Sequence, residues 1–347
     1  IPLGDLISRQ DRGECVTAMA QAAPTLLVRL LSEGEIDGVI SLGGGGGTAI
    51  ATAAMRALPI GFPKLMVSTL ASGNTAHYVG TKDILMMPSV VDVAGLNRVT
   101  KTIFRRAAGA ICGMVGTAIP DDADRPLIAA SMFGNTTECI NAAIPLLQQA
   151  GYEVLVFHAT GVGGRAMESL IDSGMVAGVL DITTTEWADE LVGGTLSAGP
   201  HRLEAAGQNA VPAIVAPGCL DMVNFGERHT VPPRFSDRNF YIHNPQVTLM
   251  RTTVEECRQL GRVVAEKVNA YTAPVSVLIP KKAISVISAA GHPFHDPEAD
   301  RALFESLTAA LRDDIPVEWH DCEINGAEFA EACVTALLKN LSQVRSP

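Results

Sequence analysis

Five consecutive glycines, Gly43, Gly44, Gly45, Gly46 and Gly47, run directly into Thr48 in the stretch "SLGGGGGTA". Each glycine costs roughly 0.5–1 kcal/mol to order relative to alanine, so the run calls for a reason. Amides without neighbouring Cβ atoms can turn inward and cradle a phosphate; the alternative is a glycine-rich structural turn. Thr48 stands where it would cap a following helix and offer a hydroxyl to the same anion. A Walker loop needs Lys followed by Ser or Thr after its last glycine, and Thr48-Ala49 stands there instead. A dinucleotide fold wants an acidic residue at the end of the next strand, where this sequence offers Ser68 and Thr69. Phosphate chemistry of another kind fits better. Asp92, at the end of a further apolar run, could hold a ribose hydroxyl or a Mg2+ bridging phosphates, or cap a helix before Gly95.

The second half carries its own constellations. "ATGVGGRAMESL" sets Arg165 directly behind Gly163 and Gly164. A backbone nest plus a guanidinium suits a carboxylate or phosphate; a glycine-lined turn with a solvated Arg is the alternative. "TTTEWADELVGG" places Glu186, Asp189 and Glu190 after an apolar run, where carboxylates could transfer protons or form a solvated helix face. "GHPFHDP" groups His292, His295 and Asp296, with His243 of "YIHNP" as a further candidate member. Metal ligation needs a matching second half that this short pair lacks, so acid–base chemistry or substrate hydrogen bonding by His292 and His295 is the better reading. The Gly-x-Ser-x-Gly elbow of serine hydrolases is absent.

Short apolar runs alternating with helical patterns must position these residues. "DGVISL", "KLMVS" and "ILMMPSVVD" read as strands, with helices over 48–58 and 95–114. "GTAIPDDADRP" (116–126) breaks the rhythm and marks a boundary between domains 1–118 and 119–347. The alternation then restarts with "LIAASMF", "EVLVFHA", "VAGVLDI", "AIVAPG", "AISVISA" and "PVEWHD" as strands, and 220–244 as a long polar stretch. Thr252 and Glu255 have the capping-box spacing at a helix start. Such alternation predicts an α/β fold with parallel sheets and crossover helices.

A formal charge of −11 disfavours nucleic acid and anionic membrane surfaces as partners. Seven cysteines, widely spaced and without a CxxC, read as mostly buried, reduced thiols of a cytoplasmic protein. No unbroken apolar run of about 18 residues occurs, so no membrane span is expected. The opening "IPLGDLISRQ" lacks a basic segment followed by an apolar core, so no signal peptide is expected.

Long motifs carry a resemblance. "SLGGGGGTAIATAAMRALPIGFPKLMVSTLASG", "YVGTKDI", "SVVDVAGLN", "FGNTTECI", "GYEVLVFHATGVGGRAMESLI", "GVLDITTTEWADELVGG", "SAGPHRLEAAG", "PGCLDMVNFG", "HNPQVTLMRTT" and "GHPFHDP" resemble the family of the ATP-binding domain of the tomato mosaic virus resistance protein and its bacterial relatives. The resemblance covers nearly the whole chain. It implies two Rossmann-like domains with a cleft between them, homodimers, and ATP at Gly43–Thr48, with Ser68, Thr69, Ser72, Gly73, Asp92 and Asn97 as neighbours. Family members begin with a further strand–helix–strand unit containing an Asp-Thr-Lys-Gly loop. This sequence starts after that point, so the first sheet is expected to lack strands and part of the nucleotide site. The plant protein's C-terminal barrel has no counterpart here, and antiviral inhibition is not carried over. The resulting expectation is an ATP-dependent enzyme acting on an anionic small molecule bound by Gly163, Gly164 and Arg165, with Glu186 and the His292 loop facing it. A regulatory nucleotide-binding module acting on protein partners without turnover is the alternative.

Overall fold

The computed structural model describes residues 2–118 and 125–344. The chain divides into two compact units, Ile1–Asp122 and Ala123–Pro347. Part of the boundary stretch, 119–124, lies outside the described residues.

The first unit contains α1 (Leu3–Ser8), α2 (Arg12–Ser32), β1 (Val39–Gly43), α3 (Gly45–Arg56), β2 (Lys64–Ser68), α4 (Ala76–Val79), β3 (Leu85–Pro88) and α5 (Arg98–Gly116). Its strands form a parallel sheet of order β1-β2-β3. Central β2 is buried along its whole length and alternates between the sheet's faces. Leu65 and Val67 pack with Ala107 and Ile111 of α5, while Met66 packs with Met55 of α3 and Ile84. A fully buried Lys64 opens this strand because its ammonium finds the Pro59 carbonyl at 2.6 Å, the Phe62 carbonyl at 2.9 Å and Asp83 at 2.7 Å.

One expectation changes here. Helix α3 begins at Gly45 and not at Thr48, so three of the five glycines form its first turn. Helix α2 is, among the described residues, one helix that by length and composition alone is long and apolar enough to cross a membrane, with a mean hydropathy of 1.3. Arg12, Glu14 and Arg29 interrupt its apolar sequence. In the fold α2 packs along α3.

The second unit contains β4 (Leu127–Met132), α6 (Thr137–Gln149), β5 (Glu153–His158), α7 (Val162–Asp172), β6 (Val176–Thr183), α8 (Glu186–Val192), α9 (Ala205–Gln208), β7 (Ala213–Gly218), β8 (Met222–Phe225), β9 (Phe240–Asn244), β10 (Val247–Arg251), α10 (Val254–Asn269), β11 (Val275–Pro280), α11 (Pro297–Ala310), β12 (Val317–His320) and α12 (Ala327–Val344). Six of these strands make a parallel sheet of order β12-β11-β7-β6-β4-β5. One face packs on α6 and α12 through Ile128, Leu180 and Ile214 against Ile140, Phe329 and Leu337. The fold is thus α/β with mostly parallel sheets, consistent with a Rossmann-like arrangement.

The stretch 220–244, read as long and polar, instead supplies β8 and β9 of an antiparallel sheet of order β8-β10-β9. "AISVISA" is not a strand either. The strand is the preceding Val275–Pro280, and Ser285 and Ser288 cap each other in a short 3-10 turn within the loop that follows. The capping box at α10 lies one residue later than the sequence spacing placed it, with Thr253 and Glu256 as partners. All seven cysteines are free thiols, five of them buried.

Candidate functional site

In the first unit, β1 and β2 end in register, with Gly43 opposite Ser68, and Ser68 opposite Pro88 of β3. The loops leaving these strands therefore start from one edge of the sheet, the position where open α/β sheets bind ligands. Gly44 is the N-cap of α3 and has no side chain to satisfy the helix. Thr48 donates the first closing amide bond to the Gly44 carbonyl at 2.8 Å, and among the described residues no acceptor meets the amides of Gly45, Gly46 and Gly47. Open amides at a helix start, reinforced by a partial positive charge of about half a unit, attract anions.

Thr48 is not the cap. Its hydroxyl is buried inside the helix, 2.8 Å from the Gly44 carbonyl and 2.7 Å from the Ser68 hydroxyl. Those two hydroxyls thus lock α3 to the end of β2. Thr69 donates its amide to the Gly43 carbonyl at 3.2 Å. Ser72 and Gly73 are exposed in the following turn, and Asp92 is exposed with its carboxylate accepting from the Val93 amide at 2.8 Å. Asn97 is committed as the cap of α5, accepting from Val99 and Thr100.

Local packing leaves much of the glycine run unexplained. None of Gly43–Gly47 has a positive φ. A Cβ on Gly43 would come within 3.1 Å of the Gly47 Cα, and one on Gly46 within 3.2 Å of Val16. At Gly44, Gly45 and Gly47, by contrast, the nearest atoms would be 3.6, 3.9 and 3.8 Å away, ordinary contact distances. The Arg12 guanidinium of α2 lies 3.8 Å from the Cβ position of Gly46, on the same helix start.

The second glycine loop is organised differently: the anion it holds belongs to the chain. Glu186, at the start of α8, is 1% exposed, and its Oε1 accepts from the amides of Gly161 at 2.6 Å and Gly164 at 3.1 Å. Its Oε2 accepts from Nε of Arg202 at 2.7 Å. Arg202, itself 1% exposed, also grips Asp181 of β6 through two bonds of 2.6 Å and reaches Glu168 of α7 at 3.0 Å. Ser131 of β4 donates to Asp181 at 2.6 Å. Burial pushes the Glu168 carboxyl up from its ordinary value, with the Arg202 charge pulling the other way. A Cβ on Gly164 would stand 2.1 Å from Glu186, so glycine is required there by this carboxylate.

Arg165 is exposed and donates to the Ser197 carbonyl at 3.1 Å. Asp189 is fully buried and accepts from the Asn224 amide, the Asn224 side chain and the Leu196 amide at 3.0, 2.6 and 3.3 Å. Burial, with the Glu186 charge adding, pushes Asp189 up to about 7 against those donors. Glu190 accepts from the Ser197 hydroxyl.

His292 and His295 are exposed, and Asp296 caps α11 by accepting from Ala299 at 3.0 Å. His295 borders a cavity of about 480 Å3 with Lys281 and Trp319, whereas His243 borders a separate cavity of about 310 Å3. These histidines are therefore not gathered on one space. No group of three or more His, Cys, Asp or Glu placed to hold a metal occurs among the described residues.

Sequence reasoning missed Arg202, Asp181 and Glu168. The one local signal was a charged residue, Asp181, inside the apolar run of β6.

Fold and loops together define a protein of two α/β units, each with a glycine-bearing loop at the carboxyl ends of its strands. The chain belongs to UPF0261, described as an uncharacterised protein family: residues 3–120 match its N-terminal domain and residues 125–341 its C-terminal domain. It is 51% identical over 341 residues to a UPF0261 protein of Clostridium tetani, covering 98% of this chain and 84% of that one. Identity to the ToMV resistance protein Tm-1 of Solanum lycopersicum is 44% over 336 residues, covering 94% of this chain and 45% of that protein. The ToMV susceptible protein of the same plant is 43% identical over 336 residues, with the same coverage. Two values this close mean that the similarity does not follow resistance.

Proposed function

We propose that the first unit binds the phosphates of a nucleotide at Gly43–Gly47, with ATP the nucleotide that the family resemblance implies. One observation carries this reading: Gly45 and Gly47, inside the first turn of α3, have space for a Cβ and no positive φ, yet carry no side chain. Glycine in a helix costs about 1 kcal/mol relative to alanine, so a demand from outside the fold is the economical explanation. A phosphate lying against the amides of Gly45–Gly47 supplies that demand, with Arg12 as its counter-charge. Thr69, Ser72 and Asp92 lie on the neighbouring loops, Asp92 being suited to a ribose hydroxyl or to Mg2+.

Thermal unfolding with and without Mg-ATP tests the reading. ATP is expected to raise the melting temperature, and Gly45→Asp to abolish the rise by placing a carboxylate in the anion's space. The variant should fold, because the nearest atom to its Cβ is Leu70 Cδ1 at 3.9 Å. Protection that survives the substitution would place the phosphate site elsewhere. Orthophosphate release in the same samples separates a nucleotide-consuming enzyme from a module that binds without turnover.

A further inference from the structure

The cavity over the carboxyl ends of β4 and β5 in the second unit has the make-up of a small-molecule site. We propose that it binds an uncharged planar heterocycle whose edge presents a hydrogen-bond donor beside an acceptor, read by the side chain of Asn135.

Topology places it first. The chain runs from β4 outward to β5 and then back across β4 to β6, since the sheet order is β12-β11-β7-β6-β4-β5. The order reverses between β4 and β6, and the cavity borders that point through the loop leaving β4; in open parallel sheets ligands bind outside the carboxyl ends of the strands near such a reversal. The loop leaving β4 supplies Phe133 and Asn135 to this cavity, and the end of β5 supplies His158. The antiparallel sheet contributes His243 from β9 and Leu249 from β10, so the insertion that the sequence concealed forms part of the wall.

Chemistry then narrows the ligand. Among the described residues no Asp, Glu, Lys or Arg lines the cavity; its only ionisable side chains are the imidazoles of His158 and His243, so a phosphate or carboxylate would be desolvated without a permanent counter-charge. Phe133, Leu196 and Leu249 offer apolar walls suited to the faces of a ring. About 310 Å3 lies at the small end of ligand pockets and suits one ring system without a long appendage.

Asn135 supplies the specificity. It is 7% exposed, and among the described residues its Nδ2 meets only the Met222 sulfur at 3.7 Å and its Oδ1 meets no donor. A carboxamide carries a donor and an acceptor side by side, and leaving such a group unsatisfied is unfavourable. A lactam or carboxamide edge on the ligand satisfies both atoms at once.

Saturation-transfer NMR on the full chain with uracil, hypoxanthine, nicotinamide and phenylphosphate tests this, with toluene as the ring that lacks a polar edge. At least one of the three edge-bearing heterocycles is expected to bind at least tenfold more tightly than toluene, and phenylphosphate is expected not to bind. Asn135→Leu should remove that tenfold preference. Leu196→Trp, on a half-buried loop, should fill the space and abolish binding while the fold is retained by circular dichroism; it carries the test if Asn135→Leu does not fold. The proposal is overturned if none of the three heterocycles binds, if toluene or phenylphosphate binds equally well, or if binding persists unchanged in Leu196→Trp.

Discussion

At the scale of single residues, the second unit turns on one guanidinium. Arg202 holds Asp181, Glu186 and Glu168 at once, and so ties β6, the start of α8 and α7 to the loop that carries it. Removing one partner of a buried ion pair costs about 3–5 kcal/mol, because the remaining charge is left uncompensated. Arg202→Met should accordingly lower unfolding stability by several kcal/mol in urea titration; a loss below about 1 kcal/mol would show that water reaches the carboxylates. Asp189 makes a pH prediction. Its folded value of about 7 stands above its ordinary 3.8, so between those values the folded state binds more protons than the unfolded one. Its contribution to stability is therefore greatest in acid and declines as pH rises from about 4 to 7. Asp189→Asn should flatten this decline when wild type and variant are compared by urea unfolding at pH 5 and pH 8; parallel profiles would refute it. The sequence shows a nest fit for an anion at Gly163 and Gly164, and nothing local in it shows that the chain's own Glu186 fills that loop. Glu186 lies 22 residues beyond Gly164, and local pattern holds no information about a contact at that distance.

The two glycine loops, at the scale of elements, look alike in sequence and differ in cause. In "TGVGG" the fold itself demands glycine: Gly161 has a φ of +80°, and a Cβ on Gly163 would fall 1.8 Å from the His158 carbonyl. In the five-glycine run three positions carry no such demand. Gly163→Ala should thus destabilise by several kcal/mol, since backbone must move, whereas Gly45→Ala should be neutral or stabilise by up to about 1 kcal/mol. Melting temperatures of the two variants, measured side by side, decide the matter; equal losses would show that both loops are held by packing alone. Periodicity made most strands legible, β2 above all, because a buried central strand reads as a continuous apolar run. The sheet β8-β10-β9 was not legible, since its strands are only four or five residues long and pair through tertiary contact. "AISVISA" misled for the opposite reason: all its residues but Val286 are buried, by loop packing and by the bridge from Ala283 to Glu323, without a strand.

For the whole molecule, each unit has its own apolar core, with Leu65, Val67, Ala107 and Ile111 in the first and Ile128, Leu180, Phe329 and Leu337 in the second. A chain of two such units need not unfold in a single step. The second core is the larger and carries the buried Arg202 cluster, so the two transitions should separate, each answering to its own perturbation. A ligand that binds only the folded form at 100 times its Kd stabilises by about 2.7 kcal/mol. Mg-ATP should therefore move the transition of the first unit and leave the other in place, whereas Arg202→Met should lower the transition of the second. Gly45→Asp should cancel the ATP shift without touching the Arg202-dependent step. Calorimetric scans of the wild type and both variants read all of these shifts. A single transition displaced by ATP and by Arg202→Met alike would show that the units unfold together, and that stability at one site is shared with the other.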